Sequence, residues 1–142
     1  MSGINTGKVV VGGVVAAIVF FAIDAVTWGV IMREASEANV ARLGLDPAAM
    51  QSPAAMAGWV VSELVWGFLV VFTYAAMRPR FGPGPKTAMY AGLVPYVAVF
   101  TVMFTQAQTG MMPMTLMWQG AFFALVSLMA GSVAGAWVYR EG

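Results

Sequence analysis

Four stretches of this sequence are nearly unbroken runs of apolar side chains, and their length constrains the fold more than any other feature. They cover about residues 9–32, 53–77, 87–107 and 113–139. A helix rises 1.5 Å per residue, so about 20 apolar residues cross the hydrocarbon core of a bilayer. In lipid, backbone N–H and C=O groups have no water to bond, which leaves the helix as the natural state of such a segment. The four runs occupy about two-thirds of the 142 residues and leave no room for a separate soluble domain. The expected fold is all-α: a single integral membrane four-helix bundle. Composition agrees, with 61% hydrophobic and 9% charged residues, against roughly 45–50% and 25% in soluble domains. The net charge of +1 offers no basic face for nucleic acid. The first run follows Lys8 as a signal peptide's would, but it is too long and no A-x-A-like cleavage site follows, so it is expected to be a retained span.

The span boundaries carry fitting local chemistry. Pro53, Pro85 and Pro113 sit where helices should begin, at a position where a missing N–H costs nothing. Ser52 and Asp46 precede prolines as N-caps. Pro95 lies inside the third span and is expected to kink it by freeing the carbonyl of Ala91. Between the first two spans, residues 33–45 read as a short surface helix whose apolar side is Val40, Leu43 and Leu45.

Lys and Arg set the orientation. Lys8, Arg78, Arg80, Lys86 and Arg140 fall on the side that holds both termini and the middle loop. Arg33 and Arg42 fall on the other, diluted by Glu34, Glu37 and Asp46. The positive-inside rule then places both termini in the cytoplasm, with Trp28, Trp59 and Trp118 at the outer interface and Trp137 and Tyr139 at the inner one.

With neither Cys nor His in the chain, disulfides, thiolate metal sites, zinc hydrolases and Ser-His-Asp catalysis are excluded. The chemistry that remains centres on two carboxylates inside the spans, Asp24 and Glu63. An intramembrane Asp costs about 2.5–3.5 kcal/mol and ordinarily faces a bundle interior. By helical rise both acids lie roughly 13–15 Å from the outer ends of their antiparallel helices, so they are expected at one level. Trp59 and Trp66 flank Glu63 at i−4 and i+3, Thr27 lies a turn from Asp24, and Gln119 reaches a similar depth. Thr101, Thr105 and Gln108 form a polar stripe on the third span. The expected result is a polar pocket in the outer half of the bundle, with no Lys or Arg to neutralise the pair. It serves either as a proton or cation site, as in small transporters, or as hydrogen-bonded glue between helices.

Three further features have a functional and a structural reading each. Met111, Met112, Met114 and Met117, with Met103 below, carry an M-x-M-x-x-M spacing at Met112, Met114 and Met117 that suits Cu(I), yet methionine is also ordinary packing filler. The loop 78–86 is expected to be a tight, poorly helical turn; its Arg78, Arg80 and Lys86 can contact lipid head groups or an acidic partner, or simply fix topology. Gly12/Ala16, Gly13/Ala17 and Ser127/Gly131/Gly135 are small-residue ridges that knit the bundle or form a dimer face.

The segment RPRFGPGPKTA at residues 78–88, the closing Ala134 to Glu141 and the Asp24 region resemble a group of small, uncharacterised four-span bacterial membrane proteins. The resemblance implies the same span layout and a bacterial inner-membrane location; it carries no residue roles. The leading expectation is a non-enzymatic protein without cofactors, an accessory or structural subunit of a larger membrane complex or a homo-oligomer. The alternative is a small proton-coupled transporter or channel using Glu63 and Asp24, with Cu(I) handling a distant third.

Overall fold

Short polar side chains start several of the helices by accepting a first-turn amide. Asn5 accepts from the Lys8 amide at 3.0 Å and opens α1, Thr6–Val26. Ser52 accepts from Ala55 at 3.2 Å ahead of Pro53 and opens α3, Pro53–Phe81. Such caps satisfy amides that have no partner inside the helix. Asp46 does the same for the 3₁₀ turn Pro47–Gln51, accepting from Ala48 at 2.9 Å. The remaining helices are α2, Arg33–Arg42, α4, Pro85–Gln108, and α5, Met114–Val138. A π-helical turn, Thr27–Ile31, extends α1. The computed structural model describes residues 3–139; Arg140 and Glu141, used above, lie outside them.

Among the described residues, four helices are long and apolar enough to cross a membrane: Thr6–Ile31, Pro53–Phe81, Pro85–Gln108 and Met114–Val138. The chain is therefore an all-helical four-span bundle, as its hydropathy requires.

Three local expectations are corrected. The loop expected over 78–86 is shorter, because α3 stays helical through Pro79 to Phe81. A proline in the last turn removes only one late hydrogen bond, and the Gly82 amide closes the end on the Arg78 carbonyl at 2.9 Å. Gly82 and Gly84, at φ +80° and +131°, make the turn, so Arg78 and Arg80 are helical and Lys86 is the second residue of α4. Pro113 is the N-cap of α5 rather than its first helical residue. In α2 the buried positions are Met32 just before it and Ser36, whereas Leu43 and Leu45 are exposed. Polar bonds hold α2 in place. Asn39 Nδ2 donates to the Met111 carbonyl at 3.1 Å, and Arg42 Nη2 donates to that of Gly110 at 2.9 Å. These contacts pin α2 to the α4–α5 turn.

Around the bundle α1 packs on α3 and α5, and α4 packs on α5 and α3, with α3 and α5 touching across the middle. Glycine makes the closest approaches. A Cβ on Gly12 or on Gly135 would lie 2.8 Å from the other's carbonyl oxygen, and one on Gly67 would collide with the Gly13 carbonyl. One on Gly92 would strike Ser132, and one on Gly131 the ring of Phe20. Lipid tails are as apolar as leucine, so close packing of small residues is what draws membrane helices together. The ridges on α1 and α5 are used in this way inside the bundle.

The end near residues 82–84 is closed by Tyr74 and Tyr139, packed edge to face at 6.1 Å. The Gly84 amide donates to the Tyr74 hydroxyl at 3.1 Å and the Asn5 amide to that of Tyr139 at 3.3 Å. Tyr139 is thus buried rather than an interfacial anchor, because its hydroxyl has an amide to meet inside. Trp137 and Trp118 do face outward.

Candidate functional site: an acid pair between two tryptophan-lined spaces

The inner row of α1 is Phe20, Asp24, Trp28 and then Met32, each four residues apart. At 3.6 residues per turn a strict α-helix would let that row drift by about 40° per step. The π turn winds more slowly. Its i→i+5 bond, from the Met32 amide to the Thr27 carbonyl, is 2.7 Å, and it holds Trp28 and Met32 toward the interior. Thr27, beside Trp28, is fully buried, and its hydroxyl donates to the Ile23 carbonyl at 2.8 Å.

The facing row on α3 is Trp59, Glu63 and Gly67. Glu63 is only 6% exposed. Trp59 Nε1 donates to Glu63 Oε1 at 2.8 Å, and its ring is held against Phe21 with centroids 5.5 Å apart. Across the helix interface Asp24 and Glu63 border one small cavity, with Ser127 of α5 on the same wall. The two acids stand together, as the depth argument requires.

Two spaces adjoin them. A cavity of about 150 Å³ is lined by Phe20, Asp24, Trp28, Glu63, Trp66, Met103, Gly120 and Ser127, among others. That is room for several waters or a small polar group. A larger, half-open crevice of about 850 Å³ lies at the α2 end, lined by Phe21, Trp28, Arg33, Glu37, Met50 and Trp59 among others. Its volume lies within the range of small-molecule sites. Trp28 lines both spaces, and Trp59 lines the crevice while bonding the acid that lines the cavity. Arg33 and Glu37 at the crevice form an exposed ion pair at 2.8 Å.

Of the residues singled out in the sequence, Asp24, Glu63, Trp59 and Trp66 gather here. Gln119 and Thr105 do not; both are exposed. The inner face of α5 carries Met117, Gly120, Ala121 and Ser127, and Gln119 lies one helical step off it. Thr105 lies off the Pro95–Met103 face of α4, and its hydroxyl turns back to the Thr101 carbonyl at 2.9 Å. That internal bond lets a threonine sit on an outer face without an unmet polar group. Trp28, Met103 and Ser127 take the vacant places. Trp28 sits four residues after Asp24, the same spacing that marked Trp59 next to Glu63.

The methionine set divides as well. Met117 is fully buried with Met103, and Met112 packs on them, but Met114 is exposed. Met112, Met114 and Met117 are therefore not gathered into one buried cluster, since Met114, at the first residue of α5, is exposed. Among the described residues no three His, Cys, Asp or Glu side chains group as metal ligands. At the opposite end, the Arg78 guanidinium lies 6.0 Å from the Tyr139 ring centre and Lys86 Nζ 6.0 Å from that of Tyr90, while Arg80 is exposed. Comparison with protein-family models, with curated proteins and with solved structures found no match.

Proposed function

We propose that this is a small, non-enzymatic transporter of a bacterial cytoplasmic membrane in which Asp24 and Glu63 form a reversible proton- and cation-binding site. The location follows the positive-inside distribution and the resemblance of residues 78–88. The observation that carries the function is the pairing of two intramembrane carboxyls against a cavity, beside a crevice that opens at one end of the bundle.

Hydrogen-bonded glue is the weaker account of the same residues. The α1–α3 and α1–α5 contacts are already made by Gly13 on Gly67 and Gly12 on Gly135. An acid pair serving only to hold helices together would add the insertion cost of two carboxyls and would have no need of space around it. Intramembrane acids that border a cavity are the usual elements of proton and ion pathways.

The test is infrared spectroscopy of the protein in lipid nanodiscs as bulk pH is stepped. The expected result is a protonated-carboxyl C=O band that appears and disappears reversibly and is missing in Glu63→Gln or Asp24→Asn. A band that stays constant across the range shows a locked pair and overturns the proposal in favour of a structural or accessory role.

A further inference from the structure

We propose that the crevice at the α2 end binds an organic cation with an apolar body, its positive charge against Trp28 and Trp59 and directed toward Asp24 and Glu63. The inference rests on the acid-pair reading above and deepens it by naming the ligand class.

Size, lining and charge lead to that class. At about 850 Å³ the crevice is far larger than a proton or a bare metal ion needs. Its walls are mainly apolar, with Phe21, Trp28, Met50, Met56 and Trp59 on them and Arg33, Ser36, Glu37 and Gln51 as the polar side chains, which suits an apolar body carrying a polar or charged group. Tryptophan is also the best neutral partner for a positive charge, because its ring face is electron-rich. Trp59 is held for this role on two sides, by Phe21 at 5.5 Å and by its Nε1 bond to Glu63. Behind the tryptophans stand the two acids. The cation at the crevice, Arg33, is paired to Glu37 at 2.8 Å. A cationic guest in the crevice therefore meets the rings of Trp28 and Trp59, with the two carboxyls in the neighbouring cavity that Trp28 also lines and Trp59 reaches through Glu63.

The experiment is isothermal titration of the whole protein in lipid nanodiscs with benzyltrimethylammonium, with empty nanodiscs subtracted. Neopentylbenzene, the same shape without the charge, is the control. Saturable binding of the cation and not of its neutral isostere is expected. Trp28→Leu should weaken it by about five- to thirty-fold, the range for a partly to fully desolvated cation–π contact. Trp28→Phe keeps an aromatic face and should retain most of the affinity, which separates loss of the ring from loss of the fold. Equal saturable binding of both compounds overturns the proposal, as does a cation titration indistinguishable from empty nanodiscs. Infrared titration of the same samples keeps the two readings apart. Failed binding with a carboxyl band that still titrates overturns the ligand class alone, and failed binding with a static band overturns both.

Discussion

Gly135→Ala should destabilise the bundle although alanine is the better helix former, and the size of the effect follows from the α1–α5 crossing. A Cβ at Gly135 would lie 2.6 Å from Val71 Cγ2, 2.8 Å from the Gly12 carbonyl oxygen and 3.0 Å from Ala16 Cβ. Ordinary contacts begin at 3.4 Å, so each is several tenths of an ångström short. Val71 is fully buried and stiff at χ1, and a backbone carbonyl has no rotamer to change. The helices must part, which for an extra methyl in a packed core costs about 1–3 kcal/mol. Set against this is the gain of about 1 kcal/mol from replacing a helical glycine by alanine. Gly58→Ala in α3 supplies that gain alone, because nothing lies within 4 Å of its added Cβ. The difference between the two variants isolates the crossing and should be about 1–3 kcal/mol, with Gly135→Ala the less stable. Equilibrium unfolding in mixed micelles, followed by circular dichroism, measures it. If Gly135→Ala is as stable as Gly58→Ala, the close α1–α5 approach is not what holds these helices together.

Three other outcomes follow from the same geometry. Glu63→Gln and Asp24→Asn should each abolish proton-coupled movement of benzyltrimethylammonium into proteoliposomes while eluting as folded protein; unchanged uptake in both removes the pair from the mechanism. Arg42→Ala removes the bond to the Gly110 carbonyl, so amide exchange in α2 should speed up about fivefold, the equivalent of one net hydrogen bond of about 1 kcal/mol; an unchanged α2 would mean that this contact does not hold it. Single cysteines in this cysteine-free chain report orientation: Pro83→Cys should be shielded from an impermeant maleimide in intact cells and Ala48→Cys labelled, and the reverse pattern refutes the positive-inside assignment.

Length and depth along the membrane normal were legible in the sequence because both are one-dimensional. Counting apolar residues located four spans, and counting rise from Arg33 and Pro53 put Asp24 and Glu63 at one level. Rotation about each helix axis was harder to read. In a soluble bundle the apolar stripe marks the inside, but in lipid the outside is apolar too: Val10 and Val11 are 53% and 56% exposed, beside buried Gly12 and Gly13. Polarity misled in the opposite direction. Gln119 and Thr105 read as pocket residues, yet their helices present other faces to the interior. The small residues were the better guide, since only they permit backbones to touch. On α1 the row from Gly12 through Ala16 and Phe20 leads at steps of four to Asp24 and Trp28. On α3, Gly67 leads back by the same step to Glu63 and Trp59. On α5, Gly120, Ser127, Gly131 and Gly135 set an inner face that leaves Gln119 off it. Those rows place the acid pair, both tryptophans and Ser127 together. In this bundle the glycines that bring the helices into contact also fix the rotation that brings both carboxyls to one cavity.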